Sequence, residues 1–214
     1  MKYELIVFDM DGTILDTLVD LKNSMNHTLR LHNMPERTLD EIRSFVGNGI
    51  RKLIERAVIN GTSDETIEVI HKDFMKYYEV HCADFTKPYD GVNSLILELR
   101  NRGYKTAVVS NKAHDAVLDL CDQYFPALFD LALGERPEIA KKPAPDMVNL
   151  ALDQLQISHE NAVYIGDSDV DVATARNSNL DMIAVDWGFR TRDFLIEQGA
   201  DTIVSKPEEI LELV

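Results

Sequence analysis

Asp9 and Asp11 lie two residues apart, directly after the apolar run Tyr3 to Phe8 (YELIVF). In extended backbone alternate side chains share a face, so both carboxylates point toward one site. Two carboxylates that close repel each other unless one holds a proton or a cation sits between them. Either arrangement is useful: one acid binds metal and attacks, and the other donates a proton. Gly12 and Thr13 follow, supplying a flexible turn and a hydroxyl suited to a phosphate neighbour. Two other apolar runs also end in polar residues. Lys105 to Val109 (KTAVV) leads into Ser110 and Asn111, and Ala162 to Ile165 leads into Gly166 and Asp167.

These groups need a scaffold that gathers three strand ends. Strand patterns at 3–8, 105–109, 131–133, 162–165, 182–185 and 202–204 alternate with helical ones at 92–102, 114–124, 145–154, 170–177 and 208–214. That alternation predicts an α/β fold with a doubly wound parallel sheet. Ligands of such sheets sit at the carboxyl ends of the strands. Residues 16–82 differ, reading as helix nearly throughout. Helical patterns there cover 16–33, a short segment opened by the capping-box spacing Thr38-Leu39-Asp40-Glu41, 50–59, and 63 or 64 to 81. The expected division is a core of 1–15 and 83–214 with an all-helical insertion at 16–82.

A chain of 214 residues suits a core domain plus one inserted subdomain. No apolar run approaches the ~20 residues of a membrane helix. Acids inside the first apolar run also argue against a secretory signal. The expectation is a soluble cytoplasmic protein, monomer or homodimer, with no membrane partner. A formal net charge of −15 repels polynucleotides, so no nucleic acid partner is expected. An acidic protein that binds an anion must build a local cationic pocket. Cys82 and Cys121 lack metal-ligand spacing, and the histidines (27, 32, 71, 81, 114 and 159) form no paired motif, so packing or surface positions are expected for them.

Asp9-Met10-Asp11-Gly12-Thr13 resembles the first signature of the haloacid dehalogenase-like superfamily. Ser110-Asn111, Lys142-Pro143-Ala144-Pro145 and Gly166-Asp167-Ser168-Asp169-Val170-Asp171 resemble its second, third and fourth, in family order. The resemblance spans the chain and implies a Rossmann-like core whose helical insertion is a cap. It implies Asp9 as a nucleophile that forms an aspartyl-phosphate. Asp11 would protonate the leaving oxygen and later activate water. Magnesium would be held by Asp9, Asp167 and the main-chain carbonyl of Asp11, with Asp171 orienting that shell. Gly12, Ser110, the backbone around Asn111, and Lys142 would hold phosphoryl oxygens. Lys141, Asp169, Asp16 and Trp187 are set aside. Lys141 is one residue off the motif, Asp169 reads as capping or exposed, Asp16 as opening the insertion, and Trp187 as core packing.

The second acid argues for phosphoryl transfer over dehalogenation, and Gly166-Asp167, where the family's sugar phosphomutases carry Glu-Asp, favours a hydrolase. Ser110-Asn111-Lys112 and the segment Phe45 to Leu53 look most like phosphoglycolate phosphatases and related pyrophosphatases. A small phosphorylated metabolite is then the expected substrate. A pyrophosphatase, a phosphomutase and a catalytically idle binding module stand as alternatives. Arg51 or Lys52 could pair with a substrate carboxylate; equally, both could lie on a solvated helix face.

Overall fold

The structure is a computed structural model and describes residues 2–214. The chain divides into two compact units, residues 1–15 with 88–214, and residues 16–87.

In the first unit, the fully apolar tetrapeptide Leu5–Phe8 forms β1, with all four side chains buried. The chain leaves this unit through Leu15–Asp16 (β2) and returns through Lys87–Pro88 (β3), which pair as a two-stranded ribbon. Then follow α5 (Val92–Asn101), β4 (Lys105–Ala113), α6 (His114–Tyr124), β5 (Leu131–Glu135) and α7 (Asp146–Leu155). Next come β6 (Ala162–Gly166), α8 (Asp169–Asn177), β7 (Asp181–Val185), α9 (Arg192–Glu197) and β8 (Ile203–Val204). The main sheet is parallel and six-stranded, in the order β5-β4-β1-β6-β7-β8. It is the α/β doubly wound architecture expected.

The strand order reverses at β1, which is where a doubly wound sheet opens its ligand crevice. Phe8 stands level with Val108 on one side and Ile165 on the other. The residues that follow these three therefore emerge together at one edge. Beneath them Leu5, Val7, Val109 and Tyr164 pack with Met147, Val148 and Ala151 of α7. Each large apolar side chain buried this way contributes about 2 kcal/mol.

The second unit contains α1 (Leu18–Leu31), α2 (Leu39–Phe45), α3 (Ile50–Ala57) and α4 (Asp64–His81). The capping box at α2 forms as its spacing implied. Thr38 Oγ1 accepts from Glu41 N at 3.2 Å, and Glu41 Oε2 accepts from Thr38 N at 2.7 Å. Thr38 N, and with it the Thr38 hydroxyl, donates to Glu41 Oε2 and holds the Glu41 carboxyl below its ordinary range. The unit runs on to Lys87 rather than ending at 82, because Asp20 anchors the return segment. Asp20 is 1% exposed and accepts from Thr86 N and Thr86 Oγ1, both at 2.7 Å, and from Phe85 N. Asp20→Ala strands two main-chain donors and should destabilise the protein by about 3 kcal/mol in urea denaturation. A loss below about 1 kcal/mol would mean that Asp20 is no anchor.

Three local differences from the sequence reading have physical causes. Strand β4 continues past Val109 to Ala113 through a register shift against β5, so Ser110 and Asn111 sit in the irregularity. The unexpected α9 has only six residues, capped by Thr191 Oγ1 accepting from Phe194 N. The segment expected as a closing α-helix forms a 3₁₀ helix over Pro207–Glu212. No described helix is long and apolar enough to cross a membrane. Cys121 is buried, which pushes its thiol up to about 12; Cys82 is half-buried.

Candidate active site

The loop after β1 folds back on itself at once. Thr13, Ile14 and Leu15 all donate their amides to Met10 O, at 3.3, 3.0 and 3.0 Å. Gly12 has φ +89° inside this turn, and a Cβ there would lie 2.4 Å from Asp167 Oδ2. Only glycine satisfies both the left-handed backbone and the approach of that carboxylate. Asp9 stands at the base of the loop with its amide on Ile165 O at 2.8 Å.

Lys142 reaches the same point from the segment before α7. Asn111 grips its main chain twice: Lys142 N donates to Asn111 Oδ1 at 2.8 Å, and Asn111 Nδ2 donates to Lys142 O at 3.0 Å. The Asn111 side chain is thus committed to placing Lys142. The Lys142 ammonium lies 2.7 Å from Asp9 Oδ1 and 2.9 Å from Asp171 Oδ1, and is nearly inaccessible. Its neighbour Lys141 is exposed and faces Glu135, as its place off the motif implied.

Asp167 follows β6 and is fully buried. Its Oδ1 accepts from Thr13 Oγ1 at 3.1 Å and its Oδ2 from Phe189 N at 2.7 Å. Asp171 lies in the first turn of α8, close against β6 because Gly166 lacks a side chain; a Cβ there would lie 2.4 Å from Asp171 Cβ. Asp171 Oδ1 accepts from Lys142 and Tyr164, and Oδ2 from the amide and hydroxyl of Ser168. Each of its oxygens therefore already serves two donors.

One oxygen each from Asp9, Asp167 and Asp171 falls within a mutual 4.8 Å. The carboxylates gathered include Asp171, and not the Asp11 carboxyl, which turns instead toward Lys112 at 3.2 Å. Three buried carboxylates share one ammonium, so with all three ionised two negative charges would be uncompensated. A divalent cation would balance that excess, and an all-oxygen donor set suits a hard one. The protons respond to the same excess. Burial, then Asp171, pushes Asp9 well above the carboxylate range against the pull of Lys142. Burial, then Asp171, pushes Asp167 up to about 7. Burial works against charge on Lys142, but Asp171 and Asp9 outweigh it and hold the ammonium well above its ordinary value.

Ser110 is buried at the β4 irregularity, its Oγ accepting from Lys112 N at 3.2 Å. The sequence reading missed Tyr164 and, though it quoted Lys112 within Ser110-Asn111-Lys112, gave that lysine no role of its own. Lys112 sits two residues beyond Ser110, so extended alternation was the available signal. Two set-aside residues behave differently from expectation. Trp187 is half-buried and donates Nε1 to Thr13 O at 3.0 Å, bracing the loop after β1 rather than filling the core. Ser168 caps α8, while Asp169 pairs with Arg190 at 3.3 Å. In the helical unit, Arg51 pairs with Glu55, Asp64 and Glu68, and Lys52 with Glu55. Arg56 donates to Phe45 O and Asn48 Oδ1, tying down the Gly47–Gly49 turn.

The sequence pattern of the haloacid dehalogenase-like hydrolases matches residues 6–185. A phosphoglycolate phosphatase of Aquifex aeolicus is 30% identical over 212 residues, 98% of this chain and 95% of the relative. An N-acetylmuramic acid 6-phosphate phosphatase of Pseudomonas aeruginosa is 28% identical, covering 100% and 96%. A crystal structure of a phosphoglycolate phosphatase candidate from Lactobacillus delbrueckii superposes with a TM-score of 0.96 at 37% identity, covering 100% and 98%. With these matches joined to the site above, the chain belongs to the haloacid dehalogenase-like hydrolases, in the group that resembles phosphoglycolate phosphatases.

Proposed function

We propose that this phosphatase hydrolyses a small phosphorylated metabolite through an aspartyl-phosphate on Asp9, with magnesium in the acidic cluster. The observation that carries the reading is Asp9, buried at the switch point of the sheet and 2.7 Å from the Lys142 ammonium. Asp9 attacks phosphorus and Asp11 gives the leaving oxygen its proton, then takes one from the water that cleaves the acyl phosphate. Lys142 and the Ser110 hydroxyl neutralise charge on the phosphoryl oxygens, as do amides of the Gly12 turn and around Asn111. Asp9, Asp167 and the Asp11 carbonyl would hold magnesium, which when bound offsets the anionic charge of the site and the phosphoryl group. Asp171, with its oxygens already engaged, orients Lys142 rather than ligating.

The substrates in the relatives' names, phosphoglycolate and N-acetylmuramic acid 6-phosphate, both join a phosphate ester to a carboxylate. A carboxylated phosphate ester is therefore the substrate class we infer. Phosphate release from 2-phosphoglycolate, N-acetylmuramic acid 6-phosphate, glucose 6-phosphate and pyrophosphate, each with magnesium, tests it. A kcat/KM at least about 10-fold higher for a carboxylated ester is expected; equal turnover of all four would refute the class. The ion pairs of Arg51 and Lys52 argue against their binding that carboxylate. Arg51→Ala and Lys52→Ala should change the ratio of kcat/KM between carboxylated and uncarboxylated esters by less than about 3-fold. A selective loss in either variant would return that cation to substrate recognition.

A further inference from the structure

Tyr164 stands out among the buried polar groups because the reaction above gives it nothing to do. It lies in β6 with no exposed surface, in a run of otherwise apolar residues (AVYIG). Phenylalanine would fill that volume equally well, and a buried phenol must find partners for its hydroxyl. It finds two. The hydroxyl accepts from Lys142 Nζ at 3.0 Å and donates to Asp171 Oδ1 at 3.0 Å. Burial holds the phenol well above its ordinary range, so it remains a donor.

An ammonium carries three hydrogens on a freely turning bond. At Lys142 the three acceptors are Asp171 Oδ1, Tyr164 Oη and Asp9 Oδ1. The first two are fully buried and belong to β6 and α8, so they remain in place through a reaction cycle. With two N–H bonds tethered there, the third has one direction left, toward the Asp9 oxygen. We infer that Tyr164 is a positioning residue that, with Asp171, locks the rotation of the Lys142 ammonium and aims one N–H at Asp9 Oδ1. The hydroxyl also closes a triangle with Lys142 and Asp171, fixing that carboxylate without adding charge to an anionic site. Preorganised donors of this kind act because nothing must turn when charge develops.

The inference rests on the phosphatase reading, and the test separates the two. Tyr164→Phe removes one oxygen and keeps the packing. Its kcat/KM should fall about 10- to 100-fold through kcat, with KM within about 3-fold and the thermal midpoint within a few degrees of wild type. In a Lys142→Met background, Tyr164→Phe should cost less than about 2-fold, because there is no ammonium left to aim. A purely structural role would instead give the same fractional loss in both backgrounds. Full activity in Tyr164→Phe, or equal losses with and without Lys142, would overturn the inference. Absence of phosphate release from the wild-type protein would sink the phosphatase reading itself.

Discussion

Asp9→Asn should lower phosphate release by about 10⁴-fold or more while the protein stays folded, because an amide oxygen cannot form the acyl phosphate. The fold is expected to survive for an electrostatic reason. Burial, Asp171 and Asp167 hold the Asp9 carboxyl well above its ordinary range, against the pull of Lys142. A carboxyl so raised is strained when ionised, and neutral asparagine removes one of three crowded negative charges. Lys142 keeps Asp171 and Tyr164 as partners. The metal-free variant should therefore be at least as heat-stable as wild type at pH 8. Steady-state phosphate release and a thermal melt on one preparation check both halves. More than about one thousandth of wild-type activity in a folded variant would rule out attack by Asp9.

Chelation should abolish activity and magnesium restore it, and the same ion should change how stability depends on pH. In the metal-free protein Asp167 is pushed up to about 7, whereas in the unfolded chain an aspartate titrates near ~4. Between those values the folded state holds a proton that the unfolded state has lost. Stability of the metal-free protein therefore falls as pH rises from about 4 to about 7. Asp167 alone contributes at most about 4 kcal/mol to that fall, and Asp9 acts in the same direction. Bound magnesium would hold both carboxyls ionised and offset their repulsion. Its stabilising effect should then be large at pH 8, about 5 °C or more in thermal midpoint, and small at pH 5. Melts with chelator and with magnesium across that range measure it. Equal stabilisation at both pH values, or full activity after chelation, would remove the metal from the account.

The carboxylates of the candidate site were legible because each sits within a few residues of a strand end, and apolar runs announce strands. The parallel sheet was legible for the same reason, since β1 and β6 are buried on both faces and read as unbroken apolar runs. Contacts between distant segments were not. Tyr164 reads as one more strand aromatic until Lys142, 22 residues away, is seen beside it. Lys112 meets Asp11 across 101 residues. Arg51 looked available because its partners Asp64 and Glu68 come from α4, whose packing against α3 no local pattern states. The return to the core was placed at 83 because the helical periodicity ends there, while the buried Asp20 holds the next residues to the helical unit. Short elements were missed where tertiary contacts, rather than propensity, decide the backbone.

The covalent mechanism has a stereochemical signature that does not depend on trapping an intermediate. Each in-line displacement inverts phosphorus, so transfer to Asp9 followed by attack of water gives net retention, whereas direct attack by water gives inversion. The measurement is the configuration of the thiophosphate released from a phosphorothioate ester of the preferred substrate, made chiral at phosphorus with oxygen isotopes and hydrolysed in isotopically labelled water. Retention is the result expected of Asp9 as nucleophile. Inversion would contradict it, whatever the activity of the Asp9 variant.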